Sequence, residues 1–172
     1  MSHIRKVTLS DLEDLLKISR QTFIETFAGD NTEQNLRKYL DENMTSDKLR
    51  NELANPDSEF YFATVGDKAI GYLKLNHGSA QTEEKDSKSL EIERIYVLKE
   101  FLGKQVGQVL FEMAYRIAKD AKYNRLWLGV WERNSRAIRF YRKNGFVEFG
   151  THAFRLGDDE QTDILMKIEL AD

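Results

Sequence analysis

The 172-residue sequence has no cysteine and a single proline, Pro56. Without thiols, disulfides, thiolate metal sites and a cysteine nucleophile are excluded, and the redox compartment leaves no trace in cysteine usage. The one proline falls in Asn55-Pro56-Asp57, a turn that closes a helical section. No apolar run approaches the roughly 20 residues of a membrane-spanning helix, and Met-Ser-His-Ile-Arg-Lys at the start lacks the apolar centre of a signal peptide. A cytoplasmic protein without a membrane partner is expected. Surplus positive charge is missing too, since the formal net charge is −3 and the pI is near 5.7. Nucleic-acid binders need excess Lys and Arg against phosphates, so no nucleic-acid partner is expected, whereas a small cationic substrate fits.

With 41% apolar and 32% charged residues, the composition is that of an ordinary globular protein. The length suits one domain, residues 1–172, with a sizeable core. Residues 4–7 read as a short strand, and Ser10-Asp-Leu-Glu as the start of a helix to Phe27 that buries Leu12, Leu15, Leu16, Phe23 and Phe27. Asn31-Thr32 and Thr45-Ser46 mark two further helix starts. Residues 59–65 and 68–75 flank Gly66-Asp67 as a hairpin. Residues 77–88 are polar and predict an exposed, mobile loop. A strand over 89–97, a helix over 103–121, a strand over 125–131, a helix from Asn134, and strands over 146–154 and 163–170 complete the order. The result is β-α-α-α-β-β-β-α-β-α-β-β, a mixed sheet with helices packed on its faces.

Three stretches can carry chemistry. Leu102-Gly103-Lys104-Gln105-Val106-Gly107-Gln108 joins a strand to a helix, where free backbone amides can hold a pyrophosphate and Lys104 adds charge. In the strand before it, alternation puts Glu91 and Glu93 on one face with Ile95 and Val97. Either the carboxylates meet a wet cleft, or a bulge changes the phase after Glu93, or they pair with cations on a solvated edge. The third stretch runs from Asn134 to Phe146. Asn134 suits a helix N-cap and Gly145 the residue after the helix, while Ala137, Phe140 and Tyr141 share one face. A phenol on the buried face of a helix beside an open strand end can face a cleft, where a general acid would sit.

Taken together, Glu-Arg-Ile-Tyr-Val, the Gly-Lys-Gln-Val-Gly loop, and Asn134 with Phe140-Tyr141 before Asn-Gly-Phe resemble the GNAT family of N-acetyltransferases over about residues 70–146. Thr22-Phe-Ile-Glu-Thr-Phe27 and Tyr39-Leu40 resemble its PaiA-like branch of polyamine N-acetyltransferases. The resemblance implies a single mixed α/β domain, with a mostly antiparallel sheet of about seven strands that is splayed between the fourth and fifth. It implies acetyl-CoA as co-substrate and no metal. Ile95, Tyr96 and Val97 would pair with the pantetheine arm through their backbones. Residues 102–108 would take the pyrophosphate, Asn134 would contact the cofactor arm, and Lys143 the nucleotide end. Leu102 stands where the family usually has Arg or Gln, and Gln105 where it has its first Gly; Gly107 matches.

For the chemistry, an alkyl amine of pKa near 10.4 must lose a proton before it attacks a thioester. Glu93, directly or through water, is the expected base, and Tyr141 the acid that protonates the departing thiolate. The expected reaction is acetyl transfer to a primary amine, with spermidine or spermine favoured. Glu25, Asp30, Glu33 and Glu91 are candidates for attracting a polycation. Acetylation of an amino acid, a peptide N-terminus or an aminoglycoside, and a non-catalytic acyl-CoA-binding regulator, are the alternatives. A homodimer is common among such relatives.

Overall fold

A computed structural model describes residues 2–83 and 85–170. Its elements are β1 (His3–Lys6), α1 (Leu12–Phe27), α2 (Glu33–Asn43), α3 (Ser46–Ala54), β2 (Ser58–Val65), β3 (Lys68–His77), β4 (Ser89–Val97), α4 (Val106–Asp120), β5 (Arg125–Trp131), α5 (Ser135–Lys143), β6 (Val147–Leu156) and β7 (Asp159–Glu169). The capping signals act as expected: Thr32, Thr45 and Asn134 accept hydrogen bonds from the amides of Asn35, Lys48 and Ala137. Gly66 takes the left-handed backbone, φ 61°, that the β2–β3 turn requires.

The strands form one sheet in the order β1-β2-β3-β4-β5-β7-β6, antiparallel except for the parallel pair β4–β5. One face carries Leu73, Leu75, Leu90, Ile92, Leu126 and Leu128 against α4 and α5. The other packs Phe60, Phe62 and Tyr72 against α1 and α3. A third cluster joins the end of α1 and α2 to Trp131 and Leu156. Among the described residues no helix is long and apolar enough to cross a membrane, and no group of His, Cys, Asp and Glu is placed to hold a metal.

Two expectations change. Of the 77–88 loop, residue 84 lies outside the described residues, and the rest is anchored rather than wholly exposed. Gln81 is buried, and its side chain accepts from Trp127 Nε1 at 2.8 Å and donates to the Asp86 carbonyl at 2.8 Å. A polar side chain that ties down a loop has no hydropathy signature. The C-terminal hairpin also extends beyond the strands read from sequence, closing at Gly157 with φ 66°. Its tip pairs Arg155 with Glu160, polar residues that apolar alternation does not reveal.

Candidate active site

The parallel pairing of β4 with β5 runs from Ser89–Arg125 to Ile92–Leu128 and stops. Past that point β4 stays with β3 as far as Val97–Gly71, while β5 stays with β7 as far as Trp131–Asp163. The two strands part, and a cavity of about 700 Å³ occupies the gap. It reaches the 102–108 loop and α5 at one end and the ends of α1 and α2 at the other. The parting begins at a bulge. Lys74 pairs with Arg94 and Leu75 with Ile92, so Glu93 is left without a partner. Leu90 and Ile92 face the α4 side before it, and Ile95 and Val97 after it. Of the readings open from the sequence, the phase change and the cleft are both found, since Glu91 and Glu93 line the cavity, and Glu93 pairs with Lys74 and Arg94 there rather than on a solvated edge.

At the loop end, no hydrogen bond within the described chain takes the N–H groups of residues 103–108. Such a row of amides at a helix start is an anion site by its own partial charge. Gln105 adopts a left-handed backbone, φ 67°, immediately before α4. That conformation explains why glycine is usual there, because a side chain costs about 1–2 kcal/mol in it. Gln105→Gly is therefore expected to leave stability unchanged or raise it by up to about 1 kcal/mol, and Gln105→Val to lower it by more than about 1 kcal/mol. Denaturation midpoints check both, and a Val variant as stable as the parent would show that the loop relaxes. Leu102 is exposed and carries no charge. Basic side chains arrive from α5 instead: Arg136 and Lys143 line this end, and Arg136 Nη2 would stand 3.7 Å from a Cβ at Gly103.

Several expected cofactor contacts are otherwise engaged. The Lys104 ammonium lies 5.6 Å from the centre of the Phe101 ring and is not at the cavity wall. The Gln108 side chain bonds Asn144 at 3.0 and 3.3 Å and locks the start of α4 to the end of α5. Asn134 Oδ1 caps α5 at 3.2 Å. Ile95, Tyr96 and Val97 line the cavity along the β4 edge that β5 has left.

Tyr141 is 6% exposed, between Phe140 and Phe146 at ring distances of 5.4 and 5.5 Å, and lines the same cavity. Burial pushes its phenol well above the ordinary value of 10, so it stays protonated at neutral pH. No group in the described chain holds its hydroxyl hydrogen.

The other end of the cavity is walled by aromatic rings (Phe23, Phe27, Tyr39, Trp127 and Trp131) and by carboxylates. Glu91 is 2% exposed, and its oxygens accept from Thr82 N at 2.9 Å, Thr82 Oγ1 at 2.5 Å and Asn76 Nδ2 at 3.1 Å. Burial raises its pKa against those bonds. Glu93 accepts from Lys74 Nζ at 2.7 Å and Asn76 Nδ2 at 2.8 Å and pairs with Arg94 Nη2 at 3.0 Å. Burial alone would raise its pKa, but the charges of Arg94 and Lys74 prevail and bring it to about 2. A carboxylate so held is a poor proton acceptor at neutral pH, which weighs against Glu93 as the base. Glu25 accepts from Lys99 N at 2.9 Å. Asp30, in the turn between α1 and α2, and Glu33, at the start of α2 and paired to Arg37, are exposed and outside the cavity.

Sequence reading missed the residues that complete this end. Glu52 of α3 bonds Lys74 and Arg94, both at 2.8 Å, and balances the charges around Glu93. His152 contacts Glu83, and Asp163 stands opposite His152 in the β6–β7 pairing. The one local signal was Asp163 itself, an acidic residue at the head of an apolar strand.

Comparison with known proteins agrees with this geometry. Residues 13–146 match the family model described as Acetyltransferase (GNAT) family. The chain is 45% identical over 164 residues to an uncharacterized N-acetyltransferase of Lactobacillus delbrueckii subsp. lactis, covering 95% of each. It is 28% identical over 168 residues to the spermidine N(1)-acetyltransferase of Thermoplasma acidophilum, covering 95% of this chain and 94% of that one. The crystal structure of PaiA N-acetyltransferase from Thermoplasma acidophilum in complex with coenzyme A superimposes with a TM-score of 0.80 at 26% identity, over 98% of this chain and 99% of the other. With a matching family model over most of its length and the splayed sheet that the fold requires, the chain belongs to the GNAT family of acetyltransferases and is an acetyl-CoA-dependent N-acetyltransferase.

Proposed function

We propose that the acceptor is a primary amine of a polyamine such as spermidine or spermine. The observation that carries this reading is the single cavity that joins a row of free amides to an acidic, aromatic-walled chamber through the β4–β5 gap. The amides of residues 103–108 suit the pyrophosphate of acetyl-CoA, with Arg136 and Lys143 adding charge, and the open edge at Ile95, Tyr96 and Val97 suits the pantetheine arm. The chamber favours cations because its carboxylates outnumber its cations once Glu93 and Glu52 are set against Lys74 and Arg94. The Thermoplasma relative is named for acetylating spermidine, which supports the same class.

In the reaction, the neutral amine attacks the thioester carbonyl, the C–S bond breaks, and sulfur leaves as coenzyme A. Tyr141 gives its proton to that sulfur. The nitrogen's remaining excess proton returns to the phenol through solvent. Glu93 keeps its charge throughout and holds Arg94 and Asn76 at the chamber wall.

Acetyl-CoA at a hundred times its Kd is expected to stabilise the fold by about 2.7 kcal/mol, or roughly 5–11 °C in Tm. NAD and ATP at the same concentration should do far less. Thiol release then tests the acceptor class, with spermidine and spermine expected to exceed single amino acids, an Ala-led peptide and an aminoglycoside in kcat/KM. A preference for any of the latter would overturn the polyamine assignment. Stabilisation by acetyl-CoA without turnover on any amine would mark a regulator.

A further inference from the structure

Five carboxylates line the cavity: Glu25, Glu83, Glu91, Glu93 and Asp163. Four are occupied. Glu25 is bonded by Lys99 N, Glu83 touches His152, Glu91 is clamped by Thr82 and Asn76, and Glu93 is enclosed by Lys74, Arg94 and Asn76. Among the described residues no hydrogen bond or ion pair reaches Asp163. Its position is also distinct. Asp163 pairs across β7 with Trp131 of β5 and His152 of β6. Its Oδ2 would stand 3.5 Å from a Cβ at Gly129, the first β5 residue past the last β4 pairing. Gly129 and Asp163 line the cavity together.

We propose that Asp163 is the catalytic residue that takes the proton from the substrate ammonium. This rests on the acetyl-transfer reading. The ammonium N–H bond breaks, its proton moves to Asp163 Oδ, and the electron pair left on nitrogen forms the C–N bond as the C–S bond breaks toward the thiolate. Asp163 afterwards loses the proton to solvent, so the net products are the acetamide, coenzyme A and one proton. The charges of His152 on β6 and Tyr39 on α2 interact with Asp163, and Glu83 on the segment before β4 and Glu93 and Arg94 on β4 line the same cavity. Burial pushes the Asp163 carboxyl up to about 6, with His152 pulling weakly the other way. Transfer to a carboxylate that burial raises is less uphill than transfer to Glu93, which Arg94 and Lys74 hold low.

The test is steady-state thiol release against pH, with spermidine as acceptor and butylamine and lysine beside it. In the wild type, kcat/KM should rise through an acid limb near pH 6. Asp163→Asn should lower kcat by about 10²–10³ at pH 7.5, lose that limb, and climb about tenfold per pH unit as the free amine accumulates. Its acetyl-CoA Kd should not change. Its Tm at neutral pH should be no lower than wild type, because a carboxyl with a raised folded pKa costs stability as pH rises from about 4 to about 6. If the Asn variant does not fold, Asp163→Ala assayed with added formate serves instead, and formate should restore much of the lost rate. A variant with kcat within threefold of wild type and the acid limb intact overturns the assignment. So does a rise in KM alone, which would make Asp163 an attractor of cations. A wild type inert toward every amine fails earlier and rejects acetyl transfer itself.

Discussion

Tyr141→Phe is expected to lower kcat by about 10²–10⁴, the range for loss of a positioned acid, while the acetyl-CoA Kd stays within a few-fold of wild type. The substitution keeps the ring and so keeps its packing on Phe140 and Phe146. Only the hydroxyl goes, and no group in the described chain depends on it for a hydrogen bond. Stability should therefore change little. Burial holds the phenol protonated across the working pH range, so the tyrosine cannot act as a base and is always loaded as a donor. Near-normal turnover in the variant would return Tyr141 to the core and leave the thiolate to be protonated by solvent. A large drop in Tm would show that the hydroxyl has a buried partner.

Glu93→Gln should act chiefly on stability. It leaves Lys74 and Arg94 buried with Glu52 as their one remaining carboxylate, and breaking a buried pair from one side costs about 3–5 kcal/mol. Glutamine still offers a neutral acceptor, so a loss of about 3 kcal/mol is expected, roughly 6–12 °C in Tm. The pH dependence carries a matching sign. The folded pKa of Glu93, about 2, lies below the ordinary 4.5, so its contribution is complete above about pH 4.5 and is lost as pH falls toward 2. The variant's stability should be flatter across that window. Unchanged stability together with a rate profile shifted to higher pH would instead identify Glu93 as the proton acceptor.

Much of the fold was legible in the chain because its signals are local. Thr32, Thr45 and Asn134 announce helix starts, Gly66-Asp67 announces a hairpin, and the apolar spacing in α1 and α4 marks faces that must be buried. The order of elements follows from them, and so does the cleft-facing placement of Tyr141. The splay did not come from composition or spacing; it came from resemblance to a family, and the structure contains it.

The chemistry of the carboxylates was decided elsewhere. Glu91 and Glu93 stand two residues apart on one strand, yet the first is held by neutral donors and raised, and the second is enclosed by cations and lowered. Arg94 is the neighbour of Glu93 on β4, but Lys74 and Asn76 come from β3, Thr82 from the segment before β4, and the balancing Glu52 from α3, and no pattern near residue 93 encodes those. Asp163 lies 70 positions further along the chain and reaches the same chamber only because β7 runs antiparallel beside β5. Local sequence determined which residues form helices and strands, since capping, turns and periodicity act over a few residues. Which carboxylate is held low by cations and which is raised by burial was decided only by tertiary structure, because a pKa depends on burial and on charges that folding brings from distant strands.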